Sequence, residues 1–244
     1  MRIIFWDFNP SLWPTLATLL ILPMFLSLGF WQLDRAELKR VLHKDFEGRQ
    51  SAPVLDLNEE INVKNGLEEL LWHKVTIKGE FSRDANILLD NQVINGKAGY
   101  FVYTPFKFKN EGFWILVNRG WLPAGASRDD PPGLIAEEGV LKIVGSIKLP
   151  PSTGMLLAEN LAEQLGDGTI RVQKLEFVAI EKALKIELLP NVVRLEPESA
   201  GGFTRHWKAP GSGEEKHLGY AFQWFAMAGA IFIIYLILNF KRTK

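Results

Sequence analysis

Two apolar segments constrain the fold of this chain more than any other feature of its sequence. The first covers residues 12–33 and contains no charged side chain. In the second, from His217 to Phe240, the only ionisable side chains are His217 and two tyrosines. About 20 apolar residues are enough for a helix to cross a hydrocarbon core, where a helix also satisfies its own backbone hydrogen bonds. We therefore predict transmembrane helices over 12–33 and 217–240.

The segments that flank the predicted spans indicate an orientation in the membrane. Two spans place both termini on one side, and the C-terminal tail from Lys241 to Lys244 is basic. The positive-inside rule assigns short basic segments to the cytoplasm, while long loops translocate largely regardless of charge. We therefore expect cytoplasmic tails over 1–11 and 241–244 and a large external domain over 34–216. A cleaved signal peptide is the alternative for the first segment, although the apolar run is long for one.

Composition excludes several kinds of functional site. The chain of 244 residues contains no cysteine, and its formal net charge is zero. Thiolate metal sites, disulfides and cysteine nucleophiles are therefore excluded. A neutral chain also lacks the basic surface that nucleic-acid binding requires, so we expect no nucleic-acid partner.

The stretch between the two spans has the pattern of a β-rich domain. Residues 35–50 continue the first helix, and a second helix is predicted over 175–186. Asn95-Gly96 predicts a hairpin turn, because both central residues of such a turn need positive φ. The predicted strands cover 72–81, 87–94, 100–103, 113–117, 140–147 and 192–195. The expected fold class is α+β: two transmembrane helices flanking an antiparallel, barrel- or sandwich-like domain with one or two helices of its own.

No catalytic constellation is visible in the residues. None of the four histidines belongs to a tight metal-ligand pair. Asp129-Asp130 is a pair of carboxylates suited to acid–base work, but an Asp-rich turn before two prolines is the commoner structure. We therefore expect that the protein is not an enzyme. Asn118-Arg119-Gly120-Trp121 is expected to end the strand 113–117, with Gly120 supplying a backbone conformation that alanine would not adopt.

His217 is the side chain that most suggests a ligand. In a helix, His217, Tyr220, Ala221 and Trp224 share one face, and the small Ala221 between larger aromatic rings predicts a recess. An imidazole at the head of such a groove can be the axial ligand of a haem iron, with Tyr220 and Trp224 packed against the macrocycle. The alternative is an interface anchor whose ring is half hydrated. Gln223 can equally bond to a neighbouring helix.

Four short motifs occur in order along nearly the whole chain. They are Gly29-Phe30-Trp31-Gln32-Leu33-Asp34-Arg35-Ala36-Glu37-Leu38-Lys39 after the first span, Gly99-Tyr100 followed by Thr104-Pro105-Phe106, Val117-Asn118-Arg119-Gly120-Trp121, and His217-Leu218-Gly219-Tyr220-Ala221-Phe222-Gln223-Trp224-Phe225. Together with the two spans, they resemble the Surf1/Shy1 family of cytochrome c oxidase assembly proteins. One departure is Glu214-Glu215-Lys216, which stands where members of that family often carry asparagine.

The resemblance implies an assembly factor for haem–copper oxidases. It implies that the chain binds haem a transiently at the outer end of the second span, with His217 as the axial ligand, and assists haem insertion into oxidase subunit I. The implied partners are the membrane, cytochrome c oxidase subunit I and haem a synthase. The implied location is the bacterial inner membrane, with the large loop in the periplasm. The alternative function is a membrane scaffold that stabilises oxidase assembly intermediates without binding a cofactor.

Overall fold

A computed structural model describes residues 6–59, 67–109, 112–125, 133–134, 138–151, 162–166, 168–211 and 213–242. The chain divides into two compact units. The helical unit comprises Met1–Glu47 and Lys208–Lys244, and the barrel unit comprises Gly48–Trp207.

The secondary structure combines three helices and eleven strands within the described residues. In chain order they are β1 (Trp6–Phe8), α1 (Leu12–Gln50), β2 (Leu55–Asp56), β3 (Lys74–Phe81), β4 (Asn86–Ile94), β5 (Lys97–Phe108), β6 (Trp114–Pro123), β7 (Leu141–Lys148), β8 (Glu163–Gly166), β9 (Thr169–Val172), α2 (Phe177–Leu184), β10 (Leu188–Leu195), α3 (Glu214–Asn239) and β11 (Phe240–Arg242). This order confirms the predicted fold class of two long apolar helices flanking a β-rich domain.

Both long helices of the helical unit are long and apolar enough to cross a membrane. α1 has 39 residues and contains Pro23, while α3 has 26 residues. α1 extends well past the apolar segment, as the spacing of apolar residues over 35–50 predicts. α3 begins at Glu214, three residues before the predicted span, so that His217 lies within its first turn.

α1 and α3 pack antiparallel. The Phe25 and Trp224 rings are 5.4 Å apart, and the Thr15 and Tyr235 hydroxyls are 3.2 Å apart. Partly or fully buried side chains recur on both helices at alternating steps of three and four, the spacing of a two-helix packing interface. We call these residues the helix seam: Thr18, Leu22, Phe25, Gly29, Gln32, Ala36, Lys39 and His43 on α1, and His217, Ala221, Trp224, Ala228, Ile231 and Tyr235 on α3.

A small two-stranded sheet joins the first and last described segments of the chain. β1 pairs antiparallel with β11, placing Phe8 opposite Phe240. Asn239 is fully buried, and its Oδ1 accepts a hydrogen bond from the Ser11 backbone N–H at 2.7 Å. The backbone N–H of Asn9 donates to the carbonyl oxygen of Asn239 at 2.9 Å. These contacts fix the register of the two helices at this end of the helical unit.

The barrel unit is a nine-stranded sheet in the order β2-β3-β7-β10-β6-β5-β4-β9-β8, and a further pairing of β3 with β5 closes part of it into a ring. The closed ring contains β3, β7, β10, β6 and β5. Its interior is filled by a core that includes Ile77, Phe106, Val117, Ile147 and Val193. A second apolar cluster, to which Ile180 of α2 belongs, covers part of the outer surface.

The strands extend further than the sequence pattern indicates. β6 runs on to Pro123, and β10 begins at Leu188. The prediction that Asn118–Trp121 ends a strand is therefore wrong, because these residues lie inside β6. The hairpin turn between β4 and β5 is confirmed, with φ of 52° at Asn95 and 75° at Gly96.

Three strand pairs in the barrel unit are parallel, namely β2–β3, β4–β9 and β6–β10. The sequence pattern predicts an antiparallel sheet, and these three pairs depart from it. Alternation of apolar and polar residues specifies which face of a strand is buried but carries no information about the direction of its neighbour. The sequence pattern also does not predict the short strands β8 and β9.

Candidate functional site

A hydrogen bond between the two long helices holds His217. Its Nδ1 lies 2.8 Å from Oε1 of Gln32. An amide oxygen is an acceptor only, so Nδ1 donates the proton in this contact. In the neutral form of the ring, Nε2 then keeps the lone pair. The contact therefore selects the tautomer in which Nε2 can act as a ligand.

Gln32 occupies a position in the helix seam where a polar side chain needs a partner. It is only 9% exposed, and a buried amide without a hydrogen bond is unfavourable. His217 supplies that hydrogen bond. The motif after the first span and the motif that opens α3, which are 185 residues apart in sequence, thus meet at one contact. The sequence identified Gln32 as a motif residue but gave no signal that it pairs with His217.

The predicted recess at Ala221 is wrong. Ala221 is 1% exposed, whereas Tyr220 is 53% exposed. The side of α3 that carries His217, Ala221 and Trp224 belongs to the helix seam, so the position of Ala221 is filled. Helical periodicity alone placed Tyr220 on the same face and could not show that the seam would separate it from Ala221.

The other motif residues on the long helices lie around this contact. Trp224 is half-buried against Phe25, and Phe225 is half-buried with its ring centroid 5.3 Å from that of Phe30. Gln223 is exposed. Trp31 is 48% exposed, and the guanidinium carbon of Arg35 lies 5.6 Å from the centroid of its ring. An aromatic and partly cationic surface is therefore present at the His217 end of the helical unit.

The Asn118–Trp121 motif forms a bulge in β6. Val102 pairs with Gly120 while the next residue, Tyr103, pairs with Asn118, so Arg119 is the extra residue. The side chain of Asn118 stabilises the bulge by donating to the Tyr103 hydroxyl at 3.0 Å and accepting from the Gly120 backbone N–H at 3.0 Å. Gly120 has a φ of 120°, which favours glycine.

Arg119 is a structural residue of the barrel unit. It is 2% exposed, and its guanidinium carbon lies 4.7 Å from the Phe81 ring centroid and 4.8 Å from the Phe203 ring centroid. Its Nε donates to the carbonyl oxygen of Gly201 at 2.5 Å, and its own carbonyl oxygen accepts from the Phe203 backbone N–H at 2.7 Å. Arg119 thereby holds the segment from Gly201 to Phe203 against the barrel.

Trp121 and the Gly99-Tyr100 motif belong to the same structural cluster. The Trp121 backbone N–H donates to the carbonyl oxygen of Thr204 at 2.7 Å. The indole N–H of Trp121 donates to the carbonyl oxygen of Gln92 at 2.9 Å. A Cβ at Gly99 would lie 2.5 Å from the Trp121 ring, so the indole fits only beside glycine. Tyr100 is 3% exposed.

The described residues include no group of three or more His, Asp and Glu side chains placed to hold a metal ion. Asp129 and Asp130, the carboxylate pair considered from the sequence, lie outside the described residues. The Nε2 atom of His217 is therefore a candidate for a single-residue ligand and not, among the described residues, part of a multi-residue metal site.

The fold and this contact define a class of protein in which two apolar helices, joined by a part-buried Gln–His hydrogen bond, precede and follow a β-barrel unit in the sequence. The chain matches the model of the SURF1 family over residues 19–229, and it belongs to that family. It is 28% identical over 240 residues to a SURF1-like protein of Rickettsia bellii, a match that spans 93% of this chain and 90% of that protein. It is 29% identical over 236 residues to a SURF1-like protein of Rickettsia prowazekii, a match that spans 91% of this chain and 86% of that protein. It is also 27% identical over 133 residues to the cytochrome oxidase assembly protein SHY1 of Saccharomyces cerevisiae, covering 53% of this chain and 34% of SHY1.

Proposed function

We propose that this protein is an assembly factor for cytochrome oxidase that carries haem a on His217 and assists its insertion into oxidase subunit I. Membership of the SURF1 family and the similarity to SHY1, which is named a cytochrome oxidase assembly protein, support the assembly role. The hydrogen bond between His217 and Gln32 is the observation that supports the haem-carrying role.

The residues present fit an axial ligand for haem iron. A histidine that binds a metal usually donates its other ring N–H to a neighbouring acceptor, which fixes the ring and increases its basicity. Gln32 is such an acceptor for Nδ1, and Nε2 of His217 has no hydrogen-bond partner among the described residues. Haem a is the cargo in this proposal, and its iron supplies the redox centre of the oxidase that receives it.

The cargo would lie on an exposed surface of the helical unit. Tyr220 is 53% exposed, Phe222 is 74% exposed and Trp31 is 48% exposed. Such aromatic rings can pack against an apolar macrocycle. Binding through one histidine on an open surface suits transfer to a second protein, because little of the cargo must be uncovered before release. Arg35 offers a positive charge for a haem carboxylate.

The proposed setting follows the orientation expected from the sequence. α1 and α3 cross the bacterial inner membrane, and the barrel unit lies in the periplasm, with His217 at the outer interface. Haem a synthase delivers the cargo, and oxidase subunit I receives it. The protein binds and releases haem without catalysing a reaction.

The test is the visible spectrum of the detergent-purified full chain, produced together with the enzymes of haem a synthesis. We expect a haem a spectrum in the wild type and its loss in His217→Ala. His206→Ala is the matched control, because His206 is an exposed histidine and its removal should leave the spectrum unchanged. Unfolding midpoints of all three proteins establish that they are folded. A spectrum retained in folded His217→Ala would contradict the ligand assignment. No bound haem in the wild type would favour the scaffold function.

A further inference from the structure

Two cationic side chains come together on the outer surface of the barrel. β7 and β10 are antiparallel, with Val192 opposite Lys148 and Arg194 opposite Ser146. Residues two apart on a strand share a face, so Lys148 and Arg194 project from the same face as diagonal neighbours. Val193, between the two positions on β10, points the other way, into the core inside the ring. The two cations therefore lie outside the ring.

Each of these cations lies against an indole ring. The guanidinium carbon of Arg194 is 5.1 Å from the Trp207 ring centroid, and Nζ of Lys148 is 5.8 Å from that of Trp72. Trp207 is fixed in turn, because its indole N–H donates to the carbonyl oxygen of Leu195 at 2.9 Å. The Trp207 ring covers one side of the Arg194 guanidinium and supplies no negative ion.

Arg194 has hydrogen-bonding capacity that the described residues do not use. Its Nε is buried and has no hydrogen-bond partner, and it takes part in none of the ion pairs within the described residues. Glu196 is the nearby carboxylate, and its Oε1 accepts a hydrogen bond from the Ser146 hydroxyl at 2.5 Å. The buried Nε is out of reach of an acceptor from outside the chain. The two Nη atoms carry the other four N–H donors of the guanidinium, and these are the donors that an external acceptor can bind.

The local charge also favours an anion. Lys74 of β3 lies opposite Ser146 and adds a third cation to this face, where the carboxylates of Glu196 and Glu198 lie beside it. Burial and the neighbouring Arg194 charge lower the pKa of Lys148 to about 7, while Glu196 acts in the opposite direction. Repulsion between cations is relieved by a ligand with more than one negative charge.

We propose that Arg194 and Lys148 form a binding site for a phosphate group on the outer surface of the barrel unit. The planar fork of Arg194 binds two phosphate oxygens, and the Lys148 ammonium binds a third. The phosphate belongs either to free phosphate or to the headgroup of a phospholipid, because both present the same acceptor oxygens. This site is independent of haem binding by His217.

The experiment uses the full chain in a phosphate-free, non-ionic detergent. Inorganic phosphate and a short-chain phosphatidylglycerol are titrated separately at constant ionic strength, and tryptophan fluorescence reports the environments of Trp72 and Trp207. We expect saturable binding of at least one probe and a loss of affinity of about 10- to 100-fold in Arg194→Gln, the range for a charged hydrogen-bonding group. Lys142→Gln is the matched control, because Lys142 is exposed on the same face of β7, and its affinity should match the wild type.

Two further measurements separate binding from folding. Arg194→Lys keeps the charge but removes the fork, so it should bind with intermediate affinity. The pH dependence of amine labelling at Lys148, followed by mass spectrometry, should show a pKa that rises when the probe is bound. Binding of inorganic phosphate would identify free phosphate as a sufficient ligand, and binding of the phospholipid alone would identify the headgroup. No saturable binding of either probe, or equal affinity in folded Arg194→Gln, would overturn the proposal.

Discussion

The helical unit and the barrel unit use their polar motif residues in opposite ways. In the barrel unit, Arg119 is enclosed by two phenyl rings and hydrogen-bonded to Gly201, and Asn118 makes two hydrogen bonds of its own. In the helical unit, His217 uses one ring nitrogen and leaves the other available. A motif residue whose polar atoms are engaged within the chain stabilises the fold, whereas one that retains an available atom on a half-exposed surface can bind a ligand.

The largest expected effect tests the barrel side of this comparison. Arg119→Ala removes a fully buried guanidinium together with its contacts to Phe81 and Phe203, so we expect the free energy of unfolding to fall by about 3–5 kcal/mol. Chemical unfolding of the full chain, followed by circular dichroism, measures the loss. Arg83→Ala is the control: Arg83 is exposed, and its truncation should change stability by less than about 0.5 kcal/mol. Equal stability of the two variants would show that Arg119 does not stabilise the barrel.

A packing substitution tests whether the helix seam sets the geometry of the helical unit. A Cβ at Gly29 would lie 2.6 Å from the Phe225 ring, so Gly29→Leu should separate the helices and lower stability by about 1–3 kcal/mol. Gly229→Leu is the matched control, because a Cβ at Gly229 meets no atom within 4 Å. Resistance to unfolding in a series of detergent mixtures compares the two variants. A larger loss for Gly229→Leu would contradict the packing described for α1 and α3.

Gln32 tests the ligand side of the comparison. Gln32→Leu removes the acceptor for Nδ1 of His217, and loss of such a supporting contact weakens metal binding by about 10- to 100-fold. Gln32→Glu keeps an acceptor at the same position and should retain most of the affinity. Titration of haem into each purified variant gives the dissociation constants. Unchanged affinity in Gln32→Leu would show that Gln32 has only a packing role.

The last prediction concerns the pH dependence of stability. Lys148 has a pKa of about 7 in the folded protein against an ordinary value of 10.5, so between these values the unfolded chain holds a proton that the folded chain has released. The unfolded chain binds this proton more tightly than the folded chain, and that preference weakens as the pH rises from about 7 to 10.5. The free energy of unfolding therefore increases with pH in this range. We expect wild-type stability to rise from pH 7 to 10 relative to Lys148→Met, measured by chemical unfolding at each pH. A constant difference would show an ordinary lysine pKa.

Much of the fold could be predicted because its signals are local. The two apolar helices follow from length and the absence of charge, and the hairpin at Asn95-Gly96 follows from turn chemistry. The parallel pairing of β6 with β10, the bulge at Arg119 and the filled position at Ala221 could not be predicted. Each depends on a neighbouring element from a distant part of the chain. The periodicity of one strand or helix does not identify that neighbour.

The candidate site likewise has one feature that the sequence predicts and one that it does not. His217 is visible in the sequence because an ionisable group is rare in an apolar segment. Its hydrogen bond to Gln32 depends on the register of α1 against α3, which the pairing of β1 with β11 and the contacts of Asn239 help to fix. That register appears only when the two helices are packed.

The tautomer of the His217 ring tests the role of Gln32 most directly, and ¹⁵N NMR on the histidine-labelled full chain without haem measures it. At about pH 8 an ordinary imidazole is neutral, and we expect Nδ1 to carry the proton in the wild type. Gln32→Leu should shift the proton towards Nε2 or to a mixture of tautomers. A wild-type ring protonated at Nε2, or one that does not respond to Gln32→Leu, would contradict the claim that Gln32 keeps Nε2 available to bind iron.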